Sequence, residues 1–244
     1  MRKVAGKRYW LVGASEGLGR ALAHVMSEAG AEVIVSARSK DRLDELVAEL
    51  PGPAQAVVCD VTDQASVDAA AAEIGEIDGY VYLAGVYWPM SSKKWDAAQA
   101  TQMVEINMMG AFRTLGAVMP QMLARGSGHI VITGSLSGFR GLPKAVGYGA
   151  SKAAVMYLAE GMYADLRKTD IDVQVINPGF IKTRLTDKND FKMPFIMEPE
   201  EAAQIFYKHM RFGGFKRSFP YGFSLLFRVS QLWPDWLYYR VFSG

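Results

Sequence analysis

A single cysteine in 244 residues means that the chain cannot close an intramolecular disulfide or build a thiolate-rich metal site, and no metal is expected. That residue, Cys59, ends the apolar run Ala56-Val57-Val58-Cys59 and reads as a small buried strand residue. No charge of one sign prevails: 27 basic side chains face 25 acidic ones, a formal charge of +2. An arginine-rich arm and a basic stripe interleaved with aromatics are both missing, so nucleic acid is not an expected partner. Apolar runs long enough to span a bilayer are also missing. Met1-Arg2-Lys3-Val4-Ala5-Gly6-Lys7-Arg8 is basic, but glycines interrupt the apolar run behind it, and no signal-peptide core follows. The cytoplasm is therefore the expected location. Internal repeats and low-complexity linkers are absent too.

What is present is a composition of 50% hydrophobic and 21% charged residues, which suits a folded globule. At this length one α/β domain is more economical than two. Apolar runs of strand length alternate with amphipathic stretches of helix length. Strands are expected at Arg8–Gly13, Glu32–Ala37, Gln55–Cys59, Gly79–Leu83, His129–Thr133, Asp172–Ile176 and Lys216–Pro220. Helices are expected at Leu18–Ala29, Asp41–Leu50, Gln64–Ile74, Asp96–Leu123, Tyr148–Arg167 and Pro199–Met210. This alternation predicts a single-domain, doubly wound parallel sheet of Rossmann-like α/β type, with helices on both faces. The catalytic domain is expected to cover residues 1–222, with a lid loop at 183–198. Residues 223–244 read as an aromatic, amphipathic extension.

The first strand runs into Gly13-Ala14-Ser15-Glu16-Gly17-Leu18-Gly19 just where a helix begins. Glycines there let the backbone approach a pyrophosphate, and the helix N-terminus offers unpaired N–H groups and partial positive charge. At the end of the second strand, Ser36-Ala37-Arg38-Ser39-Lys40 holds no acid before Asp41. A carboxylate at position 37 would repel a 2′-phosphate, whereas Ala37 leaves room and Arg38 can grip one, so NADP(H) is the expected cofactor. The competing view of Arg38 is a solvated surface arginine. Tyr148-Gly149-Ala150-Ser151-Lys152 opens a helix and places a phenol and an ammonium four residues apart on one face. A cation beside a tyrosine favours the phenolate and draws its pKa down from about 10.

The spacing G-x-x-x-G-x-G, together with Tyr-x-x-x-Lys and its flanking Ala-Ser-Lys-Ala, resembles the short-chain dehydrogenase/reductase family over nearly the whole chain. The resemblance implies that Tyr148 is the general acid/base and that Lys152 binds the ribose and tunes it. Ser135, at the end of the fifth strand, would steady the substrate oxygen, with Ser137 as its competitor. Asn107 would kink the long helix and hold a water connected to Lys152. Asp60-Val61 would hold the adenine, and Pro178, Gly179, Ile181 and Thr183 would lie over the nicotinamide. Ala84-Gly85 keeps half of a family Asn-Asn-Ala-Gly segment, with Tyr82 and Leu83 in place of the asparagines. The implied substrate is a small-molecule carbonyl or the matching alcohol. Phe180, Phe191, Met193, Phe195, Ile196 and Met197, in or beside the lid, make it apolar and lipid-like. A homodimer or homotetramer is implied as well. Apolar residues on more than one face of the two long helices, including Met156, Leu158, Met162 and Tyr163, support it. The other readings are a non-catalytic NADP-binding scaffold and a membrane-interface protein on the same fold.

From Lys208 onward, Lys208, Arg211, Lys216, Arg217, Arg228 and Arg240 stand against one acid, Asp235. Leu225, Leu226, Val229, Leu232 and Trp233 fall on one helical face before Pro234. Such a tail fits an interfacial membrane contact, but packing on its own core, a partner subunit or the substrate mouth is the favoured expectation. In that case Leu226, Val229, Leu232 and Trp233 should be buried.

Overall fold

Alternate side chains of strand β1 (Arg8–Val12) feed opposite cores: Tyr9 and Leu11 enter one, Trp10 and Val12 the other. This computed structural model describes residues 1–189 and 191–242. Asp190 of the predicted lid, and Ser243 and Gly244 of the tail, lie outside the described residues. Continuing the chain are α1 (Gly17–Glu28), β2 (Glu32–Ala37), α2 (Lys40–Glu49), β3 (Ala54–Val58), α3 (Gln64–Ile74) and β4 (Gly79–Tyr82). The second half holds α4 (Ala97–Val104), α5 (Gly110–Arg125), β5 (Ser127–Thr133), α6 (Val146–Leu166), β6 (Asp170–Pro178) and α7 (Pro199–Phe212). It closes with β7 (Lys216–Phe219), α8 (Tyr221–Ser230) and α9 (Asp235–Phe242).

All the strand pairs are parallel, in the order β3-β2-β1-β4-β5-β6-β7. This is the doubly wound, Rossmann-like sheet expected from the sequence. Helices α1, α2 and α7 cover one face through Leu22, Leu43, Leu46 and Phe206. Helices α3, α5 and α6 cover the other through Val67, Leu115, Val118 and Val155. Each such side chain, removed from water, is worth about 1.5–3 kcal/mol, which locks the register of strands that are apolar on both faces. The order reverses between β1 and β4, so the crevice beyond their C-terminal ends is the natural ligand site. Among the described residues, no helix is long and apolar enough to cross a membrane.

The structure corrects the expectation of one long helix over Asp96–Leu123. A π-helical turn at Glu105–Met109 separates α4 from α5. Widening the turn disturbs the i→i−4 ladder, and the Tyr82 hydroxyl donates to the carbonyl of Ile106 within it. Gly110 makes that contact possible, since a Cβ there would lie 2.3 Å from the Tyr82 hydroxyl. Tyr80 similarly bonds Thr114 at 2.6 Å, so two tyrosines brace β4 against the helix.

The tail is also corrected. Helix α9 follows Pro234, and the buried side of the tail is Ser224, Phe227, Ser230 and Tyr238. Arg140 ties it down, donating at 2.8 Å to the carbonyls of both Ser230 and Trp233, pairing with Asp235 and stacking 4.1 Å from the Tyr238 ring. Tyr238 donates to the Gly141 carbonyl at 3.0 Å. Leu226, Val229 and Leu232, expected inside a packed tail, are exposed instead, as is Leu225, and Trp233 is half-buried. The small serines pack closer to the domain than the leucines could.

Candidate functional site

Strands β1 and β4 come so close at their ends that Gly13, at φ +92°, has no space for a side chain. A Cβ there would lie 2.4 Å from the Ala84 nitrogen. Gly19 is equally constrained, because its Cβ would fall 2.3 Å from the Gly13 carbonyl oxygen. The two glycines bring the start of α1 against the sheet, and no side chain caps that helix at Glu16. Its free N–H groups face a cavity of about 800 Å³ lined by Gly13, Ser15, Glu16, Gly17, Leu18 and Gly19.

Further along the same cavity lie Arg38, Asp60, Val61, Ala84 and Gly85. Arg38 has no ion pair among the described residues, whereas its neighbour Arg42, one turn on, pairs with Glu16 at 3.1 Å. Partial burial acts to raise the Asp60 pKa, but hydrogen bonds from the Thr62 N–H and hydroxyl and the charge of Arg38 bring it below the usual value. Pro178, Gly179, Ile181 and Thr183 line the opposite wall. Thr183 reaches over the glycine loop, within 2.8 Å of where a Gly17 Cβ would be.

Ser135, Tyr148 and Lys152 meet at the centre. Ser135 accepts hydrogen bonds from the Ser137 N–H at 3.2 Å and from the Ser137 hydroxyl at 2.9 Å. Its own proton is thereby free to point at Tyr148, to which it is hydrogen-bonded. The two serines act together, Ser137 holding Ser135. Burial raises the Tyr148 pKa to about 12, the Ser135 hydrogen bond lowers it in part, and Tyr87 raises it. Lys152 is buried, its ammonium donates to the Thr133 carbonyl at 3.0 Å, and desolvation lowers its pKa to about 8. The lowering by Lys152 that the sequence led one to expect is not among the causes of the Tyr148 shift. The ammonium sits 5.8 Å from the phenol ring centre, and burial dominates both groups.

Asn107 alone among the predicted site residues does not line the cavity. It lies buried in the π-helical turn, accepting from the Val86 N–H at 2.7 Å and donating to the Val86 carbonyl and the Ser151 hydroxyl. The helix interruption predicted around it is present. Its side chain braces the segment after β4 against α6.

A nicotinamide dinucleotide fits these features: an uncapped helix end for the pyrophosphate, a cradle that a Cβ would fill, and a buried lysine without a carboxylate partner among the described residues. Residues 7–193 match the family described as short chain dehydrogenase. This chain is a short-chain dehydrogenase. It is 35% identical over 245 residues to an uncharacterized oxidoreductase of Myxococcus xanthus, covering 98% of this chain and 97% of that protein. Its fold matches a short-chain dehydrogenase from Streptomyces avermitilis at a TM-score of 0.81 and 27% identity, covering 93% of each chain. A putative betaketoacyl-ACP reductase matches at a TM-score of 0.78 and 27% identity, over 88% of this chain and 96% of the other. The family uses nicotinamide cofactors, and this dehydrogenase is accordingly an oxidoreductase.

The other end of the dehydrogenase cavity is apolar. Of the six lid residues expected there, only Phe180 and Phe191 line it. Met197 is drawn into the core under a bridge to Ile181, and Phe195 and Ile196 are exposed. The wall is completed by Tyr87, Leu136, Leu142, Phe223 and Phe227, which sequence reasoning did not assign to the site. The i,i+4 spacing of Phe223 and Phe227 was the available signal. Tyr87 meets the Tyr148 ring edge-on at 5.1 Å. The first half of the lid is pinned: Arg184 pairs with Glu16, Lys188 donates to the Tyr87 carbonyl, and the Tyr87 hydroxyl donates to Asn189. Among the described residues, no cluster of His, Cys, Asp or Glu could hold a metal.

Proposed function

We propose that this dehydrogenase is an NADPH-dependent reductase of an apolar, lipid-like carbonyl compound, with Tyr148 as its general acid. One observation carries the reading: a single cavity joins an unpaired Arg38, the Ser135–Tyr148–Lys152 cluster and an aromatic end at Phe180, Phe191, Phe223 and Phe227. When bound, NADPH supplies the hydride that reduces the carbonyl carbon. Ser135 donates to the carbonyl oxygen as negative charge develops on it. Tyr148, with its pKa at about 12, is protonated at neutral pH and delivers its proton to that oxygen. Lys152 holds the ribose hydroxyls and, while charged, stabilises the phenolate left behind. Asn107 is a positioning residue that keeps Val86 and α6 in place around them. Arg38 would take the 2′-phosphate, and Arg42, which lines the same cavity, could join it on leaving Glu16.

Assembly is proposed to be homo-oligomeric. Met156, Leu158 and Met162 pack on the core, so they are not the surplus expected from sequence, whereas Tyr163 stacks on Phe215 and stays exposed. The outward residues are Phe112 and Leu123 on α5 and Tyr157 on α6, the last 79% exposed. A panel of carbonyl compounds graded by chain length, offered with NADPH and with NADH, tests the function. Turnover with NADPH that rises with apolar length supports it, and no turnover of any carbonyl overturns it.

A further inference from the structure

Helix α8 has two apolar faces. Phe223 and Phe227, four residues apart, line the cavity, and on the outside Leu225, Leu226 and Val229 are exposed. The exposure continues past the helix: Leu232 is 87% exposed and Trp236, on α9, is 70% exposed. The inner side of the tail is already taken up by Ser224, Phe227, Ser230 and Tyr238, so these outward residues cannot turn in without expelling the buried set. An apolar run of this kind on successive turns of surface helices is uncommon on a monomer and marks a contact site.

Charge identifies the partner. Arg228 lies between Leu226 and Val229 in the chain, and Arg240 follows Tyr239 on α9. Both are exposed, and neither has an ion pair among the described residues. The one acid of the two helices, Asp235, is already occupied by Arg140. A second copy docking face to face on this patch would bring arginines of the same sign together across the two-fold axis. An anionic surface meets them with opposite charge. Leucines and a tryptophan beside free arginines match an interfacial helix, apolar on the lipid side with basic groups at the head-group level.

We infer that the outer face of α8 and α9 docks on the surface of an anionic lipid bilayer. The inference goes beyond the proposed reaction and does not rest on it. It adds that the helix meeting the lipid is the one whose inner face walls the apolar end of the cavity. Docking therefore sets that wall at the membrane interface.

Co-sedimentation of the full chain with phosphatidylglycerol vesicles and with phosphatidylcholine vesicles tests it without any turnover. Binding is expected to the anionic vesicles and to weaken as salt is raised. Each basic residue at such a surface contributes about fivefold to partitioning, so Arg228→Gln with Arg240→Gln should lower it about 25-fold. Leu232→Ser with Trp236→Ser should abolish sedimentation while leaving the melting temperature unchanged, since both residues are exposed. No binding to anionic vesicles at low salt overturns the inference, as does binding that both double variants retain. Light scattering that shows an oligomer dispersed by Leu232→Ser with Trp236→Ser, without lipid binding, assigns the face to a second copy instead. Failure of carbonyl reduction would leave this result untouched.

Discussion

Replacing Arg38 by alanine should weaken NADPH and leave NADH unaffected, and the size of the loss follows from the surroundings of the guanidinium. Arg38 is exposed and carries no ion pair among the described residues, so it has nothing to release before taking a phosphate. A charge-assisted hydrogen bond is worth about 1.5–3 kcal/mol, and exposure to water places this one at the lower end. That corresponds to a rise of roughly 10- to 30-fold in the Kd for NADPH. Arg42 can compensate in part. Its pair with Glu16 is a surface ion pair worth about 0–1 kcal/mol, so moving to the phosphate costs little. The double variant Arg38→Ala/Arg42→Ala should therefore lose more than the single one, approaching roughly 100-fold, and Arg38→Asp should reverse the preference. Calorimetric titration of both cofactors at fixed salt measures each value. Equal affinity for NADPH and NADH in the unmodified protein would refute the reasoning, as would an Arg38→Ala variant that weakens both alike.

The remaining expectations are as follows. Tyr148→Phe should lower kcat by about 100-fold to 10,000-fold while the NADPH Kd changes less than twofold, since only the transferable proton is lost; retained turnover would remove Tyr148 as the acid. Burial holds the Lys152 pKa at about 8 when folded, below its ordinary value, so the unfolded chain binds more protons above that pH. Relative to Lys152→Met, cofactor-free protein should accordingly gain roughly 2 kcal/mol of stability between about pH 8 and 10 in denaturant titrations, a difference in which the opposing titration of Cys59 and the buried tyrosines cancels. Arg140→Ala removes two hydrogen bonds to tail carbonyls and a stacking contact. A loss of about 3 kcal/mol, or roughly 6–12 °C in Tm, should follow, and an unchanged melt would show that the tail is held by other contacts. Light scattering should show a dimer or tetramer at micromolar concentration that Tyr157→Glu dissociates.

Local rules carried much of this protein. The sheet was legible because buried parallel strands require apolar runs, and the glycine loop because only glycine fits where Gly13 meets Ala84. Spacing put Tyr148 and Lys152 on one face, since helical geometry brings residues four apart together, and the family resemblance with the flanking Ala-Ser-Lys-Ala singled the pair out. The split of the long helix was foreseen only through the family resemblance at Asn107, not from local rules. It depends on Tyr82, from a strand distant in sequence, reaching the Ile106 carbonyl. The pKa values were equally out of reach, because desolvation of Tyr148 and Lys152 depends on everything packed around them, and it outweighed the neighbouring charge that sequence could see. The tail shows the limit most directly. Its amphipathic pattern was readable, but which face turned inward was not. That choice went to Ser224, Phe227, Ser230 and Tyr238, whose shapes and hydrogen bonds match Arg140 and Gly141, and the leucines were left outside. Periodicity identifies two faces of a helix, and only the complementarity of the surface beneath it decides between them.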